Sequence, residues 1–496
     1  MNTECKPEQL EFQSLGRREV MGRFDGGRIT SDGGGLLLRE VDRHIGLLDR
    51  LAACFTDHRN PESIEHSVRD LVAQRVYGLA LGYEDLNDHD DLRKDSTLAL
   101  LVGKRDLTGE QRVRKQDRGN PLAALSTLNR LELGLPESAT SDRYKRIAAD
   151  SDAMDRLLVD LFLESYRKPP RKIWLDLDAT DDPLHGQQEG RFFHGYYRCY
   201  CYLPLYIFSG EHLLCARLRT ADKDASSGSV DELQRIVGQI RARWPKTRII
   251  IRGDSGFCRE AIMAWCETND VGYVLGLARN KRLQRALGKE MEEARLACER
   301  TGEAARCFRD FRYRTRKSWS CERRVIGKAE YLPGKANPRF VVTNLSTLDA
   351  DAQHLYEDLY CARGEMEKFI GNEFSRKPRR GEAQGCAEQN RIKEQQLGLF
   401  ADRTSSATLR ANQLRLYFSS FAYVLLLGRR LDRFFRPRQH RLKESVLGAE
   451  GLVRLFCQKN ILRCQPWRAK RRLVDPSSRE AALLTRRAHS ARGEAK

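Results

Sequence analysis

"KIWLDLDATDD" (residues 172–182) and "RIIIRGDSGF" (248–257) decide how this chain folds. In the first, Ile173, Leu175 and Leu177 alternate with Trp174, Asp176 and Asp178. That period of two gives a strand one apolar face and one face carrying an aromatic ring and two acids. The second stretch is β-branched and ends in Gly253-Asp254-Ser255-Gly256, a turn sequence. Between them lie two strand-like runs, "CYCYLPLYIFS" (199–209) and "HLLCARLR" (212–219), separated by Gly210-Glu211, and then the helical pattern "VDELQRIVGQIRARW" (230–244). A further helix, "REAIMAWCETN" (259–269), leads to a fifth strand in "VGYVLGLAR" (271–279). The order predicts an α/β fold with a mixed sheet flanked by helices. A helical crossover from an antiparallel trio permits the fourth strand to lie beside the first, which would bring Asp178 and Asp254 together at neighbouring strand ends.

Outward from this core, residues 1–170 read as mostly helical after the glycine-rich opening "FDGGRITSDGGGLLLRE" (24–40), with Pro169-Pro170 marking a boundary. Residues 171–278 form the first part of the core. Residues 279–338 read as a β-rich insertion subdomain with a basic face, because "CFRDFRYRT" (307–315) alternates Phe308, Asp310, Arg312 and Arg314 with Arg309, Phe311 and Tyr313. "RFVVTNLS" (339–346) returns to the core, 339–430 completes it, and 431–496 is a basic C-terminal region.

The chain carries 88 Lys and Arg against 69 Asp and Glu, a net charge of +19 in 496 residues. A field of that sign points to a polyanionic partner, nucleic acid before an anionic membrane. Two clusters join cations to an indole: Arg312, Arg314, Arg316 and Lys317 beside Trp319, and Arg468, Lys470, Arg471 and Arg472 beside Trp467. They are the expected DNA contacts, against the plainer reading of solvated charged faces. The fourteen cysteines include no C-x-x-C pair, which argues against a zinc ribbon or finger and for reduced thiols. The N-terminus lacks an apolar signal-peptide core, and "LRLYFSSFAYVLLL" (414–427) is too short and interrupted to span a bilayer. A cytoplasmic protein with no membrane partner is the expectation.

In "YCARGEME" (360–367), Tyr360, Arg363 and Glu367 stand three and then four apart, on one face of a helix. Phosphodiester chemistry wants hard cations held by a few carboxylates, with positions left for water and phosphate. Asp178, Asp254 and Glu367 are the candidate catalytic and metal-holding acids, and Arg363 can grip a phosphate. Each acid alone has a plain structural reading, as a turn residue or an exposed helix acid. Asp176, on the face of Asp178, is a second choice. Asp181 and Asp182 read as turn residues before Pro183.

The blocks "DLDATDDPLHGQQEGRFFHGYY", "IIIRGDSGFCRE" and "LYCARGEME" with "NRIKEQQLGLFADRTS", together with the opening, resemble bacterial insertion-sequence transposases of the DDE superfamily. The group resembled carries Tyr-x2-Arg-x3-Glu in its third acidic block, and the likeness runs over nearly the whole chain. The resemblance implies a ribonuclease-H-like catalytic core with a β-rich insertion and a helical N-terminal region for end binding and assembly. It implies two Mg²⁺ ions, with Mn²⁺ as the alternative, held by Asp178, Asp254 and Glu367. It also implies binding to element terminal repeats and target DNA, a homodimer in the DNA complex, and cleavage followed by joining of the freed 3′-hydroxyl. Tyr360 and Arg363 match the signature's other members. In the relatives resembled, the Glu block runs directly into Asn-x-Ile-Lys-Glu-Gln-Gln, whereas residues 368–389 intervene here, with Glu388 as a replacement acid. A catalytically impaired DNA-end-binding relative and a nuclease without joining activity are the alternatives.

Overall fold

The computed structural model describes residues 9–15, 18–23, 31–134, 146–362 and 387–430. Its centre is a nine-stranded sheet. The strands are β1 (Lys172–Ala179), β2 (Leu205–Ser209), β3 (His212–Arg217), β4 (Arg248–Gly253), β5 (Gly272–Leu277), β6 (Ala305–Tyr313), β7 (Arg323–Leu332), β8 (Lys335–Ala336) and β9 (Arg339–Thr343). They lie in the order β3-β2-β1-β4-β5-β9-β7-β6, with β8 on β7. β1, β4 and β5 run parallel, and every other pairing is antiparallel. The expected mixed α/β architecture is present, and β4 lies beside β1.

The alternation in β1 sorts the two faces of the sheet. Ile173, Leu175 and Leu177 join Ile249, Ile251, Tyr273 and Leu275 in one core, under Leu233, Ile236 and Ile240 of a helix at Ser229–Arg243 and Ile262 and Met263 of a helix at Glu260–Thr268. Burying each such side chain stabilises the fold by about 1.5–3 kcal/mol. On the opposite face, Ile250, Val274, Ile326 and Val341 meet Leu355 and Tyr356. Beyond β1, Tyr206, Phe208, Leu213 and Ala216 face a helical body. Between these two apolar regions the same face of β1 carries Asp176 and Asp178.

The helical body is built on two helices, α1 (Val68–Ala80) and α2 (Leu409–Arg430), which pack against each other. Ser67 and Asp70 form a reciprocal capping box at the start of α1, which satisfies two of its free N–H groups. The apolar stretch 414–427 is the interior of α2: Leu416, Phe418, Phe421 and Leu425 are buried against the N-terminal helices. No helix among the described residues is long and apolar enough to cross a membrane. Tyr417 of α2 donates to Asp155 at 2.9 Å, Asp155 pairs with Arg217 of β3, and Arg217 pairs with Glu232, so the body is pinned to the sheet's edge.

Two readings of the sequence are corrected, for 199–209 and Asp182, and a third, for 279–338, gains a topology. "CYCYLPLYIFS" is two strands rather than one, because Pro204 has no N–H to donate: Cys199–Tyr202 joins a small sheet with Asp182–Pro183 and Phe192–His194, and β2 joins the main sheet. Residues 279–338 do not form a sheet of their own. β9 returns antiparallel to β5 and offers its other edge to β7, so the hairpin β6–β7 extends the main sheet. Asp182 is a buried strand residue, 1% exposed, and its burial pushes its carboxyl well above the usual carboxylate range.

Candidate active site

The register of β1 on β4 pairs Asp176 with Arg252 and Leu177 with Gly253. Asp178 and Asp254 therefore follow one residue further along adjoining parallel strands, spaced about 4.8 Å apart. Asp178 remains within the sheet, opposite Tyr206 of β2, and is 5% exposed; its Oδ1 accepts the Ala179 N–H at 2.9 Å. Asp254 lies just past the end of β4 in an exposed turn, where its Oδ1 accepts the Gly256 N–H at 2.8 Å. One carboxylate is thus rigidly seated and the other is open to solvent.

Asp176 has a different occupation. Arg252 Nε and Nη2 grip its two oxygens at 2.5 and 2.7 Å, with both residues buried. The same guanidinium stacks 4.8 Å from the Trp174 ring centroid and donates through Nη1 to the Leu359 carbonyl at 2.9 Å. Both carboxylate oxygens of Asp176 are committed to this bidentate pair, which leaves it a poor metal ligand. Nothing local marks Arg252 as a site residue, because inside "IIIRGD" it has only the signature of a strand cation.

The Leu359 contact brings in the third block. Leu355–Tyr360 is one π-helical stretch, a local irregularity often found beside functional sites. Its last residue, Tyr360, crosses β5 at Gly276. A Cβ on Gly276 would stand 2.6 Å from the Tyr360 hydroxyl and 3.2 Å from the Asp254 carbonyl carbon, so the absent side chain is what lets the phenol lie beside the second acid's backbone. Arg363, Glu367 and the segment 368–386 lie outside the described residues, as does the side chain of Glu388. Among the described residues no cluster of three or more His, Cys, Asp or Glu could hold a metal.

A family model described as "Transposase DDE domain group 1" matches residues 12–375 and 379–441. The chain belongs to this DDE transposase family. The break at 376–378 falls inside the segment 368–389. The chain is also similar to a solved piggyBac transposase, in a synaptic complex with hairpin DNA, at 12% identity over 91% of this chain and 89% of that one, with a TM-score of 0.31. No curated protein matches.

Within this transposase the remaining sequence-predicted residues are dispersed. Arg312, Arg314, Arg316 and Lys317 are exposed on β6 and the turn after it. β6 is the sheet's far edge, four strands from β4 and so about 19 Å across. Trp319 is corrected: it is 5% exposed, edge-on to Tyr313 at 5.7 Å and under Arg323, so its ring is core and not a DNA-facing surface. Trp467, Arg468, Lys470, Arg471 and Arg472 lie outside the described residues.

Two further residues were missed. Arg219, 8% exposed, donates to the carbonyls of Leu203, Ala225 and Ser227 and so anchors the loop that rests on the Asp254 turn. Burial pushes its guanidinium down to about 10. Tyr197 is half-buried near the acids; burial first, and then the charges of Asp181, Asp178 and Asp254, push its phenol up. Both act through tertiary contacts that periodicity does not encode.

Proposed function

We propose that this chain is the transposase of a bacterial insertion sequence, with a ribonuclease-H-like catalytic core, which binds the terminal repeats of its own element as a homodimer. It cuts the DNA there and joins the freed 3′-hydroxyl to target DNA. The observation that carries the reading is the placement of Asp178 and Asp254 at adjoining strand ends in a chain of the DDE family. The donor set suits hard divalent ions such as Mg²⁺: oxygen ligands only, one buried and one exposed, with the competing Asp176 already taken by Arg252. Asp178, Asp254 and Glu367 would hold them, and bound ions would activate the attacking oxygen and stabilise the leaving one.

The chain's own residues set the geometry of that site. Asp178 is fixed by its pairing with Tyr206 of β2, Asp254 stands open to an incoming phosphate, and Tyr360 is anchored beside it. Arg363, three residues on in the sequence, serves as the phosphate clamp. The cations of β6 bind DNA four strands from β4, the basic C-terminal region adds further DNA contacts, and the N-terminal helical region holds the element ends.

The test is Mg²⁺-dependent cutting and joining of linear DNA that carries the gene's own flanking ends, by the native chain and by one lacking residues 368–389. Cutting by both supports Glu367 as the third acid. Activity only after the deletion would mark this chain as a silenced, end-binding relative. Cutting without joined products would make it a nuclease, and cutting by neither would reject the reading.

A further inference from the structure

The hairpin from Arg191 to Tyr202 exposes rings that no core uses. Phe193 is 57% exposed, Tyr200 44% and Tyr196 83%. Phe193 and Tyr200 are direct cross-strand partners on one face, edge-on at 5.5 Å, and Arg191 stacks on Tyr200 at 4.3 Å. At the tip, Tyr196 meets Tyr197 edge-on at 5.0 Å. The turn is closed by the Arg198 N–H donating to the His194 carbonyl at 2.8 Å, with Arg198 held at φ +56°, a left-handed conformation that costs a bulky residue energy. Clustered exposed rings mark an interaction surface.

One side of the hairpin, Tyr197 of its turn included, stands at the acids. Tyr197 packs with Ala179 and Ala225 around buried Cys201, Leu203 and Ala221. Ala179 directly follows Asp178, and the Ala225 methyl would lie 3.3 Å from a Cβ on Gly256, in the Asp254 turn. Charge selects the occupant: exposed π-faces with Arg191 and Arg198 suit an anionic polymer bearing flat rings, and cations beside stacking aromatics are the physical signature of a surface for single-stranded nucleic acid. We infer that Phe193, Tyr196 and Tyr200, with Arg191 and Arg198, form a platform that stacks unpaired DNA bases beside the phosphodiester presented to Asp178 and Asp254.

This inference rests on reading the acids as a DNA-cutting site, yet the two fail separately. Mg²⁺-dependent cutting tests that reading. The platform is tested without metal, in the Asp254→Asn chain, by fluorescence of a short single-stranded oligonucleotide carrying 2-aminopurine. Stacking should quench the probe. Phe193→Ala with Tyr196→Ala should abolish the quenching and weaken single-strand binding about tenfold or more. Phe193→Tyr with Tyr196→Phe should preserve both, and duplex binding should be unchanged throughout. Tyr196→Ala alone, at the most exposed ring, repeats the test if the double variant loses its melting transition. Unchanged quenching in the alanine variants overturns the inference. So does a fall from dimer to monomer with quenching intact, which would give the rings to a second copy of the chain.

Discussion

In the helical body, Glu132 accepts from both Arg75 at 2.8 Å and Arg415 at 2.6 Å, and Gln74 clamps the Ala123 backbone through both ends of its amide. At the ends of β1 and β4, in the middle of the sheet, Asp254 stands exposed in a turn, and Asp178 sits buried at the end of its strand. Asp176, two residues from Asp178 on the same face, belongs to the first pattern: it is saturated by Arg252. The difference separates carboxylates closed in bidentate or shared guanidinium pairs from the two that stand at adjoining strand ends, and Asp176 and Asp178 show it within a single strand.

The largest effect that would break this comparison comes from the buried pairs. Arg252→Met and Glu132→Gln each strand a buried charge and should cost about 3–5 kcal/mol of stability, read as a lowered denaturation midpoint. The two should then part company: Arg252→Met leaves the Asp176 carboxylate without its ion-pair partner two residues from Asp178 and should impair cutting, whereas Glu132→Gln, in the helical body, should cut normally at temperatures where it is folded. Equal loss of cutting in both would erase the distinction.

Acid should weaken the helical body first. His89 is fully buried against α1, where Gln74 Nε2 donates to its Nδ1, and burial pushes the imidazole down to about 3. His66 is pushed down to about 4 by burial and by Lys104 and Arg112, against the opposite influence of Asp70 and Glu65. A histidine kept neutral in the fold contributes stability that is complete above its unfolded value near 6.5 and is lost as pH falls below it. His89 alone should cost about 2–3 kcal/mol by pH 4.5. Melting temperature against pH should fall on the acid side, and His89→Gln should flatten that slope.

The smallest effect is a control. Ser67→Ala removes the capping box of α1 and should cost about 1 kcal/mol with no change in cutting rate at permissive temperature. A change in cutting would mean that the body and the acidic edge are coupled more tightly than their separate contacts indicate.

Much of this was legible because strands announce themselves by period two. Alternation in 173–178 sorted the faces, and the strand order permitted Asp254 to lie beside Asp178, which the pairing of β4 with β1 then supplies. What escaped depended on partners distant in sequence. Nothing local says that Arg252 reaches across to Asp176 and on to Leu359, or that Gly276 is small to admit Tyr360. Trp319 misled because an indole among arginines looks alike whether it faces solvent or core. The hairpin β6–β7 was legible as strands, but its union with the main sheet is fixed by the free edge of β9, which only the fold supplies.

The central claim is that Asp178 and Asp254 perform the chemistry while Asp176 holds the strands. Mg²⁺-dependent cutting of DNA with the gene's flanking ends should be compared for Asp178→Asn, Asp254→Asn and the neutral pair Asp176→Asn with Arg252→Gln. The account predicts that each of the first two loses cutting by about 10²–10³-fold or more while retaining DNA binding, and that the pair still cuts. Cutting that survives either single substitution would contradict it.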